Sequence, residues 1–233
     1  KLYADYYEIE ITNTISAIGS QLIMNGCYSE NNQAYCALIE RLPTGFVKDL
    51  RNTTNNIGMV EPSGFEIAAT YDWSDNLGNW RVSSEIAFLD AYDVTKADGS
   101  VEHYAGYVTG NGRNQFKEIK ANLGLVWNSD ALTVSLSGQY HGEADGVAGQ
   151  VPRTSADGSY LAGDEIRTLG DTWYWDTQAS YIFESINSTL TVGVDNILDE
   201  DPPYFPDSFA NDFDPSYRTW GSQFWYVRIA SQF

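Results

Sequence analysis

Residues 223–233, "QFWYVRIASQF", alternate with period two: Trp225, Val227, Ile229 and Phe233 fall on one side of an extended chain, Tyr226, Arg228 and Gln232 on the other. The first side is greasy apart from Ser231, and the second is wet. Chain ends usually fray, so a strand patterned up to its final residue, Phe233, implies that the end itself is used. About ten such residues cross a bilayer while showing lipid only every second side chain. Whether lipid or a protein core covers the greasy side is decided by the rest of the chain.

Seven further segments share this pattern: Leu2 to Ile11, Phe65 to Trp73, Trp80 to Leu89, Glu118 to Trp127, Leu132 to His141, Trp173 to Phe183 and Thr189 to Ile197. In "LTVSLSGQYH", Leu132, Val134, Leu136, Gly138 and Tyr140 share one face, and Thr133, Ser135, Ser137, Gln139 and His141 share the other. In "WYWDTQASYIF" the greasy set is Trp173, Trp175, Ala179, Tyr181 and Phe183, against Tyr174, Asp176, Gln178 and Ser180. The connections alternate as well. Short turns rich in Asn, Asp, Ser or Gly ("SDNLGN", "NSDA", "ESINS") are interleaved with long stretches over roughly 16 to 62, 92 to 115, 144 to 172 and 198 to 222. Short turns at one end and long loops at the other are the asymmetry of an outer-membrane barrel.

Aromatics gather at the strand ends. Trp73, Trp80, Trp127, Phe183 and Phe233 lie near the short turns, and Tyr7, Phe88, Tyr140, Trp173 and Trp225 lie at the opposite ends. Two such belts suit the two headgroup layers, where a ring is apolar and its polar tip stays wet. A soluble antiparallel sandwich would show the same alternation, but it does not call for aromatic-tipped faces, alternating loop lengths or so much chain spent on loops. The reading is an all-β, antiparallel transmembrane β-barrel.

Composition bounds the function. The chain has 233 residues with 32 acidic against 13 basic, a net charge of −19, which argues against a nucleic-acid partner, since phosphate binding needs clustered Lys and Arg. There is no apolar run of about 18 residues that would make a transmembrane helix. The sequence opens "KLYADYYEIEI" without Met or signal peptide, consistent with a mature secreted chain or a piece of a longer one. The two histidines, His103 and His141, sit on separate segments, and no Ser/His/Asp arrangement forms around them, so no enzyme is expected and no catalytic residue or cofactor is assigned.

At "TVGVDNILDEDPPYF" the chain resembles the C-terminal part of TonB-dependent outer-membrane receptors, whose penultimate strand runs into an "NLFDxxPP"-like motif. Asn196, Asp199, Pro202 and Pro203 match it, with Ile197 and Leu198 where Leu and Phe are usual. "ADYYEIEITNTIS", "CYSENNQAYCALIER" and "PSGFEIAATYDW" look like a subgroup of the same receptors. The resemblance implies that residues 1–233 are the C-terminal portion of a barrel of about 22 strands, lacking the plug and the earlier strands. It further implies a place in the bacterial outer membrane, with long loops extracellular and short turns periplasmic. The implied partners are the rest of the barrel and plug, the TonB complex acting through the plug, lipid and lipopolysaccharide, and a scarce solute such as a siderophore, cobalamin or an oligosaccharide. Phe233 resembles the signal read by barrel-insertion machinery. A self-contained eight-strand barrel with a structural or adhesive role is the alternative.

Cys27 and Cys36 flank "YSENNQAY" in the first long loop. A disulfide is expected there, since an oxidising exterior favours it and a metal site lacks nearby ligands. Inward-facing Glu8, Glu10, Glu66, Asp72, Arg81, Glu85, Lys120, Asp176, Asp195 and Arg228 are expected to form a polar wall suited to a wide lumen, because unpaired charges in a dry interior are costly. Tyr174, Asp176, Asp195, Tyr204, Tyr226 and Arg228 are the candidate ligand-facing residues. The loop at 198–222 mixes acids with aromatics, Phe205 and Tyr217 among them, and is expected to be a folded, solvated external loop that caps the barrel mouth, with a share in a ligand vestibule or Ca²⁺ binding as the alternatives. "GNGRN" at Gly110 to Asn114 lacks the strand and helix of a phosphate cradle and is expected to be a flexible loop.

Overall fold

A two-faced strand cannot stand alone, because its backbone N–H and C=O groups need neighbours. The computed structural model describes residues 1–97, 99–109, 114–147, 166–205, 213, 217 and 222–232. Its strands are β1 (Leu2–Glu8), β2 (Ile11–Ala17), β3 (Ile39–Arg41), β4 (Val47–Leu50), β5 (Thr54–Asp75), β6 (Gly78–Thr95), β7 (Val101–His103) and β8 (Tyr107–Thr109). They continue with β9 (Asn114–Gln115), β10 (Ile119–Ser129), β11 (Leu132–His141), β12 (Ala144–Val147), β13 (Ile166–Leu169), β14 (Thr172–Phe183), β15 (Ser188–Asp195) and β16 (Phe224–Ser231). Among the described residues no helix is long and apolar enough to cross a membrane, which says nothing of crossing by strands.

The chain divides into two compact units, one formed by 1–7, 63–90 and 104–233, the other by 8–62 and 91–103. In the first, the sheet runs in the order β1-β5-β6-β10-β11-β14-β15-β16. All eight expected strands are therefore present, joined pairwise by the expected short turns. Register keeps each face pure, since a slip of one residue would invert every side chain. Val82, Leu125, Leu136, Thr177, Val194 and Trp225 form one row across six strands. On the other face the row is Asn79, Asn128, Thr133, Ser180, Thr191 and Arg228.

The greasy face carries its aromatics as packed ladders. At the short-turn end Trp73 and Trp80 stack at 5.6 Å, and Trp80 meets Trp127 at 5.9 Å. At the other end Tyr140 meets Trp173 at 4.8 Å. From Trp173 to Phe183 the chain rises about 33 Å, or about 25 Å once tilted by about 40°, the height of a barrel's apolar band. Gly138 leaves room for the Trp175 ring, which a Cβ would approach to 2.7 Å.

β1 departs from expectation. Its phase was read with Glu8 and Glu10 inward and Tyr7 in the outer aromatic belt, whereas the Tyr7 hydroxyl lies over Gly64, at 2.6 Å from where a Cβ would stand. Tyr6 instead meets Phe65 at 4.9 Å. "LYADYYE" has aromatics and acids in both phases, so alternation alone does not choose.

In the second unit the long stretch from 16 to 62 is not bare loop. β2 pairs with the early part of β5 through a bulge at Thr12–Thr14, and β3 pairs with β4. Helix α1 (Ser20–Tyr28) buries Ile23 and Cys27, and the short α2 (Gln33–Cys36) is capped by the Asn32 side chain, which accepts the Ala34 N–H at 3.0 Å. Cys27 and Cys36 are joined in a disulfide, and Gly26 allows the Tyr35 ring to press on α1, where a Cβ would come within 2.1 Å. β5 reaches 22 residues, longer than sequence suggested, because Asn, Gly and Pro62 read as loop formers. Pro62 needs no donor there: its carbonyl accepts the Ile9 N–H at 3.0 Å.

Candidate functional site

The wet face is the candidate site, and its order comes from paired short polar side chains. Asn128 Nδ2 donates to Thr133 Oγ1 at 2.7 Å, Ser180 and Thr191 share a hydrogen bond at 2.8 Å, and Arg81 pairs with Asp72 at 2.6 Å. Tyr226 lies over Gly193, where a Cβ would sit 2.4 Å from the ring, and its hydroxyl donates to Gln178 Oε1 at 3.1 Å.

Asp5, Glu66, Glu85, Lys120, Asn122 and Gln139 line part of a concavity of about 250 Å³. Three carboxylates against one ammonium make its local field negative. Glu66, Glu85 and Lys120 belong to the wall read from the sequence, whereas Asp5 was missed because the phase of β1 was ambiguous. Among the described residues no group of His, Cys, Asp or Glu is arranged to hold a metal ion.

The family-type motif ties three strands together. Asn196 has φ 53°. Its side chain accepts the Glu200 N–H at 3.0 Å and donates to the Glu200 carbonyl at 2.9 Å. Its own N–H donates to Asp176 Oδ1 at 2.8 Å. Ile197 N–H donates to the Trp175 carbonyl at 2.8 Å, and Asp199 Oδ1 accepts the Gln223 N–H at 3.0 Å. Asn196 and Asp199 therefore join β14, β15 and the approach to β16, while Pro202 and Pro203 follow, half-buried.

Of the candidate ligand-facing residues, Tyr174, Asp176, Asp195, Tyr226 and Arg228 share the wet face by register. Tyr174 is buried, Asp176 holds the Asn196 N–H, Asp195 is half-buried, Arg228 is exposed, and Tyr204, 71% exposed, stands off the sheet. His103 pairs with Asp93 at 2.7 Å in the second unit, while His141 packs on Tyr217 and Tyr174 in the first. Phe233, residues 110–113 of the "GNGRN" stretch and most of the acidic loop, including Asp207, Phe209, Asp212, Asp214 and Trp220, lie outside the described residues. Phe205 and Tyr217, aromatics of the loop expected to be solvated, are buried, and so is Lys117, which the sequence did not single out. For Phe205 and Tyr217 the signal was an aromatic density in the loop higher than solvent exposure explains, and for Lys117 there was none.

A family profile described as "TonB dependent receptor-like, beta-barrel" matches residues 1–197. The chain belongs to the TonB-dependent receptor β-barrel family. Solved structures of similar fold include the ferric enterobactin receptor PfeA of Pseudomonas aeruginosa, with TM-score 0.58 and 16% identity over 100% of this chain and 29% of that one. The FrpB iron transporter of Neisseria meningitidis has TM-score 0.57 and 10% identity over 100% of this chain and 29% of its own. The outer membrane transporter YddB of Escherichia coli has TM-score 0.56 and 14% identity over 100% of this chain and 30% of its own. This chain of the TonB-dependent receptor family thus spans about 29% of the length of the PfeA chain. A comparison with curated protein sequences gives no match.

Within this family the open sheet has a clear meaning. β1 and β16 stand at opposite ends of the strand order, and no pairing joins them among the described residues. A closed eight-strand barrel would require that pairing, so the self-contained alternative is not favoured.

Proposed function

We propose that this chain is the C-terminal wall segment of a receptor that takes up a scarce solute across the bacterial outer membrane, driven by TonB acting on a plug. The observation that carries this reading is one sheet with a continuous aromatic-tipped greasy face, a continuous polar face and two edges that find no partner strand among the described residues. In lipid an open edge is untenable, because unpaired backbone groups find no water there, so further strands must complete the ring. A ring that wide needs a plug, and its inner wall must be polar, as this one is. In the same reading the long connections face the exterior and the short turns face the periplasm.

The solute belongs to the siderophore, cobalamin or oligosaccharide classes. The acid excess around Asp5, Glu66 and Glu85 supports uncharged or cationic members over polyanions, since like charges repel along a lined passage. The test is solute accumulation by cells expressing the full-length protein. Saturable uptake that stops when the proton gradient is collapsed supports the proposal, while equal, unsaturable permeation in de-energised cells contradicts it. Replacing both Glu66 and Glu85 with Gln is expected to narrow the preference for cationic over anionic solutes several-fold at low salt, and to lose that effect at high salt.

A further inference from the structure

Phe224 breaks the pattern of the wet face. By register it stands opposite Asp195, on the side of β16 that also carries Tyr226 and Arg228. A wall that lines a watery passage calls for polar groups there, yet this phenylalanine is 62% exposed. Its ring stacks on Tyr226, with centroids 6.3 Å apart and planes 28° from parallel. Tyr226 is itself anchored to the wall, because its ring lies over Gly193 and its hydroxyl donates to Gln178 Oε1 at 3.1 Å. Two ordered rings therefore stand side by side on a face that is otherwise hydrophilic.

The polar groups beside these rings differ from those elsewhere on the face. Asn128 is bonded to Thr133, Ser180 to Thr191 and Arg81 to Asp72. Around the rings, by contrast, the Asp195 carboxylate, the Arg228 guanidinium and the Gln178 amide N–H groups meet no partner among the described residues. Asp195 is the cross-strand neighbour of Phe224, Gln178 holds the tip of Tyr226, and Arg228 follows Tyr226 on the same side of β16. The carboxylate only accepts, whereas the guanidinium and the amide N–H groups only donate. A solute that fits has an apolar face for the rings and a rim that both donates and accepts. A sugar ring is built that way: its C–H groups make an apolar face, and every hydroxyl around it donates and accepts. An anionic iron chelate offers mainly acceptors, so it would suit Arg228 but be repelled by Asp195 and leave that carboxylate unmatched.

We propose that Phe224 and Tyr226 form a stacking platform for a neutral sugar ring, with Asp195, Gln178 and Arg228 taking its hydroxyls, so that the solute is an oligosaccharide. The inference rests on the transport reading, which makes the wet face the lining of the solute's passage, and narrows that reading to one solute class. The two rings supply contact area at little cost in side-chain freedom, since each has two rotatable angles and Tyr226 is already fixed. The three polar groups supply selectivity, because a solute without hydroxyls leaves them unpaired.

The test is binding by the full-length protein in detergent to an array of neutral oligosaccharides of differing sugar and linkage, with a ferric hydroxamate, a ferric catecholate and cyanocobalamin measured beside them by calorimetry. The wild type is expected to bind at least one oligosaccharide, and Phe224→Ala to weaken that binding about tenfold. Phe224→Tyr keeps a ring and is expected to retain it, while Asp195→Asn and Arg228→Gln each lower it several-fold. If Phe224→Ala does not reach the heat-modifiable folded form, Phe224→Leu decides, since it keeps apolar bulk and loses the ring face. Binding of no oligosaccharide overturns the platform, as does binding that loss of the Phe224 ring leaves unchanged. Binding of an iron chelate or cobalamin alone, followed by its energised uptake, overturns the platform and leaves the transport reading standing. Oligosaccharide binding that depends on Phe224, without energised uptake of the same sugar, supports the platform and contradicts the transport reading.

Discussion

Asn196 shows what a single residue does in this fold. It is 2% exposed, its side chain closes two hydrogen bonds with Glu200, and its backbone holds a left-handed conformation that Asn tolerates better than most residues. Asn196→Ala would remove both hydrogen bonds to the Glu200 backbone and strain its own backbone, lowering stability by about 3 kcal/mol. Asn196→Gly would recover only the backbone part, about 1 kcal/mol. The midpoint of heat-modifiable unfolding in detergent reads both. A second test lies at Gly193 and Tyr226: Gly193→Val is expected to expel the ring and destabilise, and adding Tyr226→Ala is expected to recover part of the loss. The motif was legible as a string of letters, but its role was not, because Asn196 acts through backbone groups four residues away and through the Asp176 carboxylate on a neighbouring strand.

Strands and turns were the most legible elements. The segments of β10, β11, β14 and β15 alternate cleanly, since each has one face for lipid and one for water, and their bounds moved by two residues or fewer. β1 was legible in place but not in phase, since "LYADYYE" offers both faces similar side chains. The early half of β5 was hidden by Asn, Gly and Pro, which are costly in an interior strand and tolerated where a bulge or a proline carbonyl serves the pairing. At this scale the disulfide makes a local prediction. Replacing Cys27 and Cys36 with Ser should destabilise the helical segment by about 2 to 3 kcal/mol, seen as faster proteolysis within 20–52. The unfolding midpoint of the wall should stay where it is.

At the scale of the molecule, what matters is two edges without a partner strand among the described residues and two faces of opposite character. Exposed along β16 are Trp225, Val227 and Ile229, a combination that would invite aggregation in water and is at home only beside another strand and lipid. The number of strands that complete the ring could not be read from 233 residues, since strand pairing beyond the edges depends on other chain. The measurement that tests the central claim most directly is the intact mass, by native mass spectrometry, of the species carrying this sequence after mild detergent extraction of membranes. The account predicts a mass several times the 26.0 kDa of this chain, either as one longer polypeptide or with a partner chain that completes the barrel. A lone species of 26.0 kDa that migrates as a folded, heat-modifiable barrel would contradict it.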